Sequence, residues 1–461
     1  MRPTTLAEVA RVLDAELTAG EGGTPVRGAA ADSRVIREGD LFFALRGRRD
    51  GADFAPEAYL RGAVAAVATR PLGVPTLVVE DVLAAMQGLA RWTLLREDAA
   101  APTVVGITGT VGKTTTKDAL ATVLRHAGKK VSATAGNLNN EIGLPLMVLA
   151  VEPHTEVLVL EMGATRAGDI EHLCGIAPPE VGILTAISPV HLDSFGSLEA
   201  LAAAKGELAL ALPEHGTLVS PAGVPQAATG PGRKLKRRIT FSREGAEGAD
   251  LWASEIEERE DGLRFVVHLV GGDHSVEVRS PVFGTHLVDP LLAALGGALA
   301  LDLDLEEYAG GASRLRRTGL RGEVYRLRDD IVVYDDSYNA SPAAVAAVLR
   351  YGSEQAARQG RRLVAVLGGM FELGAAARAY HQEAGKLAEE VGVGLLVCVG
   401  DEARWYAEAY SGRTLFYEDA ESAADDLEHR LQCGDYVIVK GSRGVKLDIL
   451  SRKLKESLAL V

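Results

Sequence analysis

Cysteine is scarce in this chain: Cys174, Cys398 and Cys433 are the three in 461 residues. No C-x-x-C spacing exists, so neither a zinc site nor a disulfide framework is indicated. Cys398 sits in an apolar run and reads as core. Positive charge is in deficit, with 49 Lys and Arg against 63 Asp and Glu, a formal net charge of −14. That balance disfavours nucleic acid as a main partner, and any phosphate-bearing ligand must be held by a local site. The basic run Arg233 to Arg238 lacks interleaved aromatics and reads as a solvated edge. Long apolar runs are missing too; Leu291 to Leu301 is too short to span a bilayer. Met1 to Glu8 has no apolar signal core, so the expectation is a cytoplasmic chain. No internal repeat or low-complexity segment is present.

What is present is an ordinary globular composition, 47% hydrophobic and 24% charged, at a length that suits two to four domains. Its most informative stretch is Gly106-Ile107-Thr108-Gly109-Thr110-Val111-Gly112-Lys113-Thr114-Thr115-Thr116. An apolar run precedes it and a helix-like run, Lys117 to His126, follows. Strand, glycine-rich loop and helix together place backbone N–H groups and a helix N-terminus around phosphates. Gly109, Thr110 and Gly112 would form the loop, with Thr115 behind it. Lys113 would reach the outer phosphates and the Thr114 hydroxyl would ligate Mg²⁺. The strict G-x-x-x-x-G-K-[ST] pattern is not met, because Ile107 stands where its first glycine would fall. The competing reading is a glycine-rich turn with a chance Lys-Thr, against which the sharp preceding strand argues.

The fold class expected is α/β. Residues 1–85 read as a small α/β unit, with a capped helix start at Thr5 and a buried strand at Leu41 to Leu45. A central unit, 100–318, has strands expected at Thr103–Thr108, Val157–Glu161 and Val181–Ile187 with helices between, hence a mostly parallel sheet. From Thr217 to Val282 short alternating segments suggest antiparallel strands, inserted or appended. The third unit, 319–461, alternates strands and helices as in a Rossmann-like open sheet. It carries no G-x-G-x-x-G, so no dinucleotide is implied.

Several strand ends carry chemistry-bearing residues. Glu161 ends the run Val157–Leu160 and is well placed to hold Mg²⁺, or simply faces solvent. His191 could ligate a metal or relay a proton, though a lone His is more often structural. Lys205 reads first as a surface lysine on a small-residue helix. Asn137, Asn139 and Asn140 fall within four positions and suit a polyhydroxylated or amide-rich ligand, or form a plain turn. Asp335-Asp336 closes a strand and leads through Tyr338, Asn339 and Ser341 into a Pro-started helix. Gly441-Ser442-Arg443-Gly444 could bind an anion or make a simple turn.

Taken together these motifs resemble the Mur ligases over essentially the whole chain. The resemblance rests on D-S-R at 32–34, L-F-F-A-L-R-G at 41–47, the phosphate-loop segment 106–117 and N-L-N-N-E-I-G-L-P at 137–145. It continues through E-M-G-A at 161–164, H-L-D-S-F-G-S at 191–197, A-K-G-E-L at 204–208 and T-G-L-R at 318–321. D-D-S-Y-N-A-S-P at 335–342, V-L-G-G-M-F-E-L-G at 366–374 and K-G-S-R-G-V-K-L at 440–447 complete the order. N-x-N-N-x-I-G and D-D-S-Y-N-A point to the branch that adds a dipeptide. The resemblance implies three domains: a UDP-binding domain, an ATPase domain and a Rossmann-like domain. It implies ATP-dependent ligation of D-alanyl-D-alanine to UDP-N-acetylmuramoyl-tripeptide through an acyl phosphate. It also implies two Mg²⁺ ions, one on Thr114 and Glu161 and a second helped by His191. Lys205 matches a lysine that CO₂ carbamylates in such ligases, and it would then position metal. Arg321 and Asp336 match residues that close on ATP. Ser33 matches a uridine-side contact, and Asn137 to Asn140 the muramoyl-peptide side. Asn339 and Ser341 are assigned to the dipeptide side. A monomer is expected. Sibling ligases that add single amino acids, and a nucleotide-driven switch, are the rival readings. Two departures stand out. Leu287 and Pro290 replace the asparagines of a G-R-H-N-x-x-N pattern near adenine, and Gly369 replaces an acid.

Overall fold

A computed structural model of the chain describes residues 3–96, 101–189, 192–245, 247–259, 261–271, 275–315 and 322–458. Among the described residues the strands form four sheets, of two, five, nine and six strands. The five-stranded sheet is built from Glu16–Leu17, Gly28–Ala30, Asp40–Phe43, Ala65–Ala68 and Thr76–Val78, parallel except for the first. Thr5 starts the first helix with a reciprocal capping box: its hydroxyl accepts from Glu8 N, and Glu8 accepts from Thr5 N.

The nine-stranded sheet holds the phosphate loop. Its strand Thr103–Thr108 lies between Val157–Glu161 and Val181–Leu184, parallel to both. Glu161 pairs in register with Ile107, and Leu184 with Thr108, so three carboxyl ends open side by side. Such an edge is where open α/β sheets bind ligands. The expected strand Val181–Ile187 stops at Leu184. From Thr185 the chain turns toward the phosphate loop instead, where Thr110 N donates to Ala186 O at 3.0 Å. A second expectation is corrected as well. Thr217–Pro221 and Arg237–Ser242 are not antiparallel; they extend the same sheet in parallel, and the antiparallel pairs are Leu251–Arg259 with Gly262–Leu269 and the latter with Ser275–Ser280. The basic run is not a sheet edge as expected: its last residues, Arg237 and Arg238, open the interior strand Arg237–Ser242, while Arg233 and Arg238 donate to main-chain carbonyls of Leu212 and Thr229.

Helices Lys113–His126 and Val288–Ala300 cover one face of this sheet through Leu120, Leu124, Leu291 and Leu295. On the other face Val104, Leu158 and Leu160 share one core with Leu41, Phe43 and Val67 of the five-stranded sheet, bridged by Met86 and Leu89 of helix Val82–Leu95. Each such side chain buried is worth roughly 1.5–3 kcal/mol, so the two sheets are tied by a continuous apolar layer.

The six-stranded sheet runs Glu323–Arg326, Val332–Asp335, Tyr436–Lys440, Leu363–Gly368, Leu395–Val399, Thr414–Tyr417 in spatial order, and is parallel except for the first. Helices pack on both faces, as in a Rossmann-like fold. No described helix is long and apolar enough to cross a membrane.

Candidate active site

The loop after Thr108 demands glycine at two points. Gly109 has φ +144, and a Cβ there would collide with Thr185 Oγ1. Gly112 has φ +83 where the helix begins, and a Cβ would lie 3.1 Å from Pro290 Cγ. The helix Lys113–His126 therefore points its N-terminal N–H groups and the positive end of its dipole into the opening. Lys113 Nζ folds back to donate to Gly109 O at 2.8 Å and Thr110 O at 3.3 Å. A phosphate entering the loop would compete for those donors.

Beside the loop runs a short polar chain. Thr114 Oγ1 donates to Glu161 Oε2 at 2.8 Å, and Asn139 Nδ2 donates to Glu161 Oε1 at 2.8 Å. Glu161 is 3% exposed. Its backbone N donates to Thr134 Oγ1 at 2.9 Å, which fixes where the strand ends. Thus Thr114, Asn139 and Glu161, far apart in sequence, meet at one carboxylate. Lys205 is buried close by, donating to Ala164 O at 3.3 Å with Nζ 5.5 Å from the Phe195 ring. Burial, reinforced by the Lys113 charge, pushes its ammonium down to about 7. The expectation of a surface lysine is corrected here: helix Leu198–Ala211 turns Lys205 inward.

A cavity of 1210 Å³ opens between the nine- and six-stranded sheets. Thr110 to Thr115, Asn137, Asn139 and Glu161 line one side. Asp336, Tyr338, Asn339 and Ser341 line the other. Asp336 is held by Lys440, Nζ to Oδ2 2.6 Å. Ser341 caps the helix Pro342–Gln359, accepting from Ala344 N. His286 faces this pair from the central sheet's side, and burial pushes its pKa down to about 4, against the attraction of Asp336. Arg443 lies along the rim, paired with Asp448 at 3.1 Å.

Two expected residues stand apart. Ser33 is buried in the five-stranded sheet's unit, donating to Glu57 Oε2 at 3.1 Å. Asn140 does not line the cavity; its Oδ1 accepts from Gly143 N at 2.8 Å and holds the turn into helix Gly143–Leu149. Leu287 and Pro290 do line it, and Pro290 O accepts from Thr116 Oγ1, so this position braces the phosphate-loop helix. His191 and Arg321 lie outside the described residues. Sequence reading assigned Lys440 and His286 no role of their own; each stood only inside a motif of the resemblance, K-G-S-R-G-V-K-L at 440–447 and the pattern at 284–290.

Comparison with known proteins agrees with this geometry. The chain matches the Mur ligase middle domain over residues 107–298 and the Mur ligase, glutamate ligase domain over 320–443. It is 35% identical to the UDP-N-acetylmuramoyl-tripeptide–D-alanyl-D-alanine ligase of Mycobacterium tuberculosis, covering 92% of this chain and 91% of that one. Its fold superposes on crystal structure I of MurF from Acinetobacter baumannii with a TM-score of 0.87 at 28% identity, covering 99% of each chain. It superposes on MurF ligase from Thermotoga maritima in complex with ADP with a TM-score of 0.80 at 31% identity, covering 94% and 98%. A phosphate loop in a parallel sheet, facing a second α/β unit across one cleft, is the design of an ATP-dependent Mur ligase. Within that class the chain belongs to the UDP-N-acetylmuramoyl-tripeptide–D-alanyl-D-alanine ligase family.

Proposed function

We propose that the chain joins D-alanyl-D-alanine to UDP-N-acetylmuramoyl-tripeptide at the expense of ATP, giving the pentapeptide precursor of peptidoglycan. The observation that carries the reading is the shared cavity: phosphate loop, Thr114–Glu161–Asn139 chain and Asp336–Ser341 loop all face one space. In balance, a carboxylate oxygen of the tripeptide attacks the γ-phosphorus, the bond to the β-bridging oxygen breaks, and ADP leaves. The dipeptide amine then attacks the acyl carbon, phosphate departs, and the amine loses its proton. The first step brings two anions together, so the site must neutralise them. Lys113 and the helix N-terminus bind and orient the phosphates. Glu161 fixes the Thr114 hydroxyl.

The residues fit Mg²⁺. Thr114 and Glu161 offer hard oxygen donors in contact with each other, and no group of three His, Cys, Asp or Glu placed to hold a metal ion occurs among the described residues. Few protein ligands completed by phosphate and water is the arrangement Mg²⁺ takes. When bound there it would shield the charge on the transferring phosphoryl group. A second ion helped by His191, and carbamylation of Lys205, belong to the same proposal. Lys205 supports it by being buried next to the loop with Ala164 O as its one hydrogen-bond acceptor among the described residues.

The work divides among three units, 1–85 for the UDP-substrate, 100–318 for ATP and 319–461 for closure and dipeptide. The separate sheets support this division. Ser33 would serve the uridine side, Asn137 and Asn139 the muramoyl-peptide, Asn339 and Ser341 the dipeptide, and Arg321 with Asp336 the nucleotide. The enzyme is taken to act as a monomer in the cytoplasm. The test is the mass of the nucleotide product after incubation with ATP, Mg²⁺, UDP-N-acetylmuramoyl-tripeptide and D-alanyl-D-alanine. A gain equal to the dipeptide less water supports the reading. No gain with the dipeptide, but one with a free amino acid, would assign a sibling activity.

A further inference from the structure

The strand Tyr436–Lys440 ends beneath two loops that wall the cleft. Lys440 is 3% exposed, and an ammonium has three N–H donors. Asp336 Oδ2 accepts at 2.6 Å, Asp336 O at 3.1 Å and Asn339 O at 2.6 Å. All three acceptors belong to the loop Asp336–Asn339, so the ammonium is fully occupied by the protein and is not the cation that meets a ligand. Two residues further on, Ser442 Oγ accepts from Phe371 N at 2.9 Å, and Ser442 N donates to Gly369 O at 3.1 Å. Gly441 lets the backbones close up: a Cβ there would lie 3.0 Å from Gly368 Cα. One strand end thus reaches in two directions. Asp336, Tyr338 and Asn339 from one loop, and Phe371, Glu372 and Leu373 from the other, line the cavity.

We propose that Lys440 and Ser442 are positioning residues for the ligation, Lys440 fixing the Asp336–Asn339 loop and Ser442 the Gly369–Leu373 loop against the cleft. The loops have separate anchors on one strand, so each can be released without the other. Removing the ammonium leaves a carboxylate and two carbonyls without their donor, and the first loop is free to swing toward water. Removing the Ser442 hydroxyl takes the acceptor from Phe371 N alone. The kinetic part of this inference rests on the ligase reading; the structural part does not.

The test is hydrogen–deuterium exchange of the full chain, read with steady-state kinetics, for Lys440→Met and Ser442→Ala. Lys440→Met should speed exchange in 336–341 at least tenfold and leave 369–373 unchanged. Ser442→Ala should do the reverse. Lys440→Met should also raise the KM for ATP about tenfold or more, with binding of the UDP-linked substrate unaltered. If Lys440→Met does not fold, Lys440→Arg is read by the same criterion, because its planar fork cannot reach the three acceptors as an ammonium does. Unchanged exchange in the targeted loop, or even acceleration across the whole six-stranded sheet, would overturn the proposal. If the ligase reading itself fails, only the kinetic arm is lost, since loop exchange is measured without substrate.

Discussion

Lys113 and Glu161 show how one residue's role follows from its neighbours. Lys113 sits at the first turn of its helix, with its ammonium on the loop carbonyls a phosphate would approach. Lys113→Ala should lower kcat/KM by a factor of about 10³ or more, as expected where a preorganised charge faces a developing one, with the melting temperature unchanged. Retained turnover in that variant would remove the phosphate loop from the chemistry. Lys113 was legible in sequence, because a phosphate loop is contiguous and its spacing carries the physics; Glu161 was legible only as an acid at a strand's end, with solvent as the other reading. Lys205 and Asn140 were legible only as residue types. Burial decides the first, and a turn's backbone N–H groups claim the second. Neither environment is written in the neighbouring sequence.

At the scale of elements, the site depends on where strands stop and helices start. Gly109 permits φ +144 beside Thr185, and an alanine there meets both strain and collision. Gly109→Ala should therefore abolish ATP binding by calorimetry while the sheet stays folded by circular dichroism. Asn140 Oδ1 holds the entry to helix Gly143–Leu149. Asn140→Ala should cost about 1 kcal/mol of stability, the net worth of one such hydrogen bond, and change the KM for the UDP-linked substrate less than twofold. A large KM change at constant stability would return Asn140 to the substrate side. Element type was readable from alternation and caps: the strands Thr103–Thr108 and Val157–Glu161 fall where the apolar runs place them. Pairing was not. Thr217–Pro221 and Arg237–Ser242 look like short antiparallel strands locally, yet helix Val288–Ala300 packs across them and completes a parallel sheet. Partner choice is a long-range property that a local period does not encode.

At the scale of the whole molecule, the nine- and six-stranded sheets meet across a junction that contains a buried acid. Both carboxyl oxygens of Glu258, near the end of strand Leu251–Arg259, are shut off from water. Tyr351, Glu354 and Arg358 face it from helix Pro342–Gln359, Tyr436 from the adjoining strand, and Gly284 from the main chain, and Arg358 donates to Glu258 O at 3.4 Å. Burial pushes this carboxyl up to about 7. The folded state therefore holds a proton that the unfolded chain releases near its ordinary value of 4.5. The folded state is favoured at low pH, and that advantage is lost as pH rises from 4.5 through 7. Glu258→Gln should raise stability at pH 8 by about 3 kcal/mol, from a shift of that size at about 1.36 kcal/mol per pKa unit, and leave it unchanged near pH 4. Equal effects at both pH values, in urea denaturation, would contradict the assignment. The central claim remains that one cleft couples ATP cleavage to amide formation. The most direct measurement is phosphate release from ATP and Mg²⁺ with UDP-N-acetylmuramoyl-tripeptide, with and without D-alanyl-D-alanine. The account predicts sustained release only when both substrates are present, one phosphate per pentapeptide formed, and none with Lys113→Ala. Sustained release that ignores the dipeptide would contradict it.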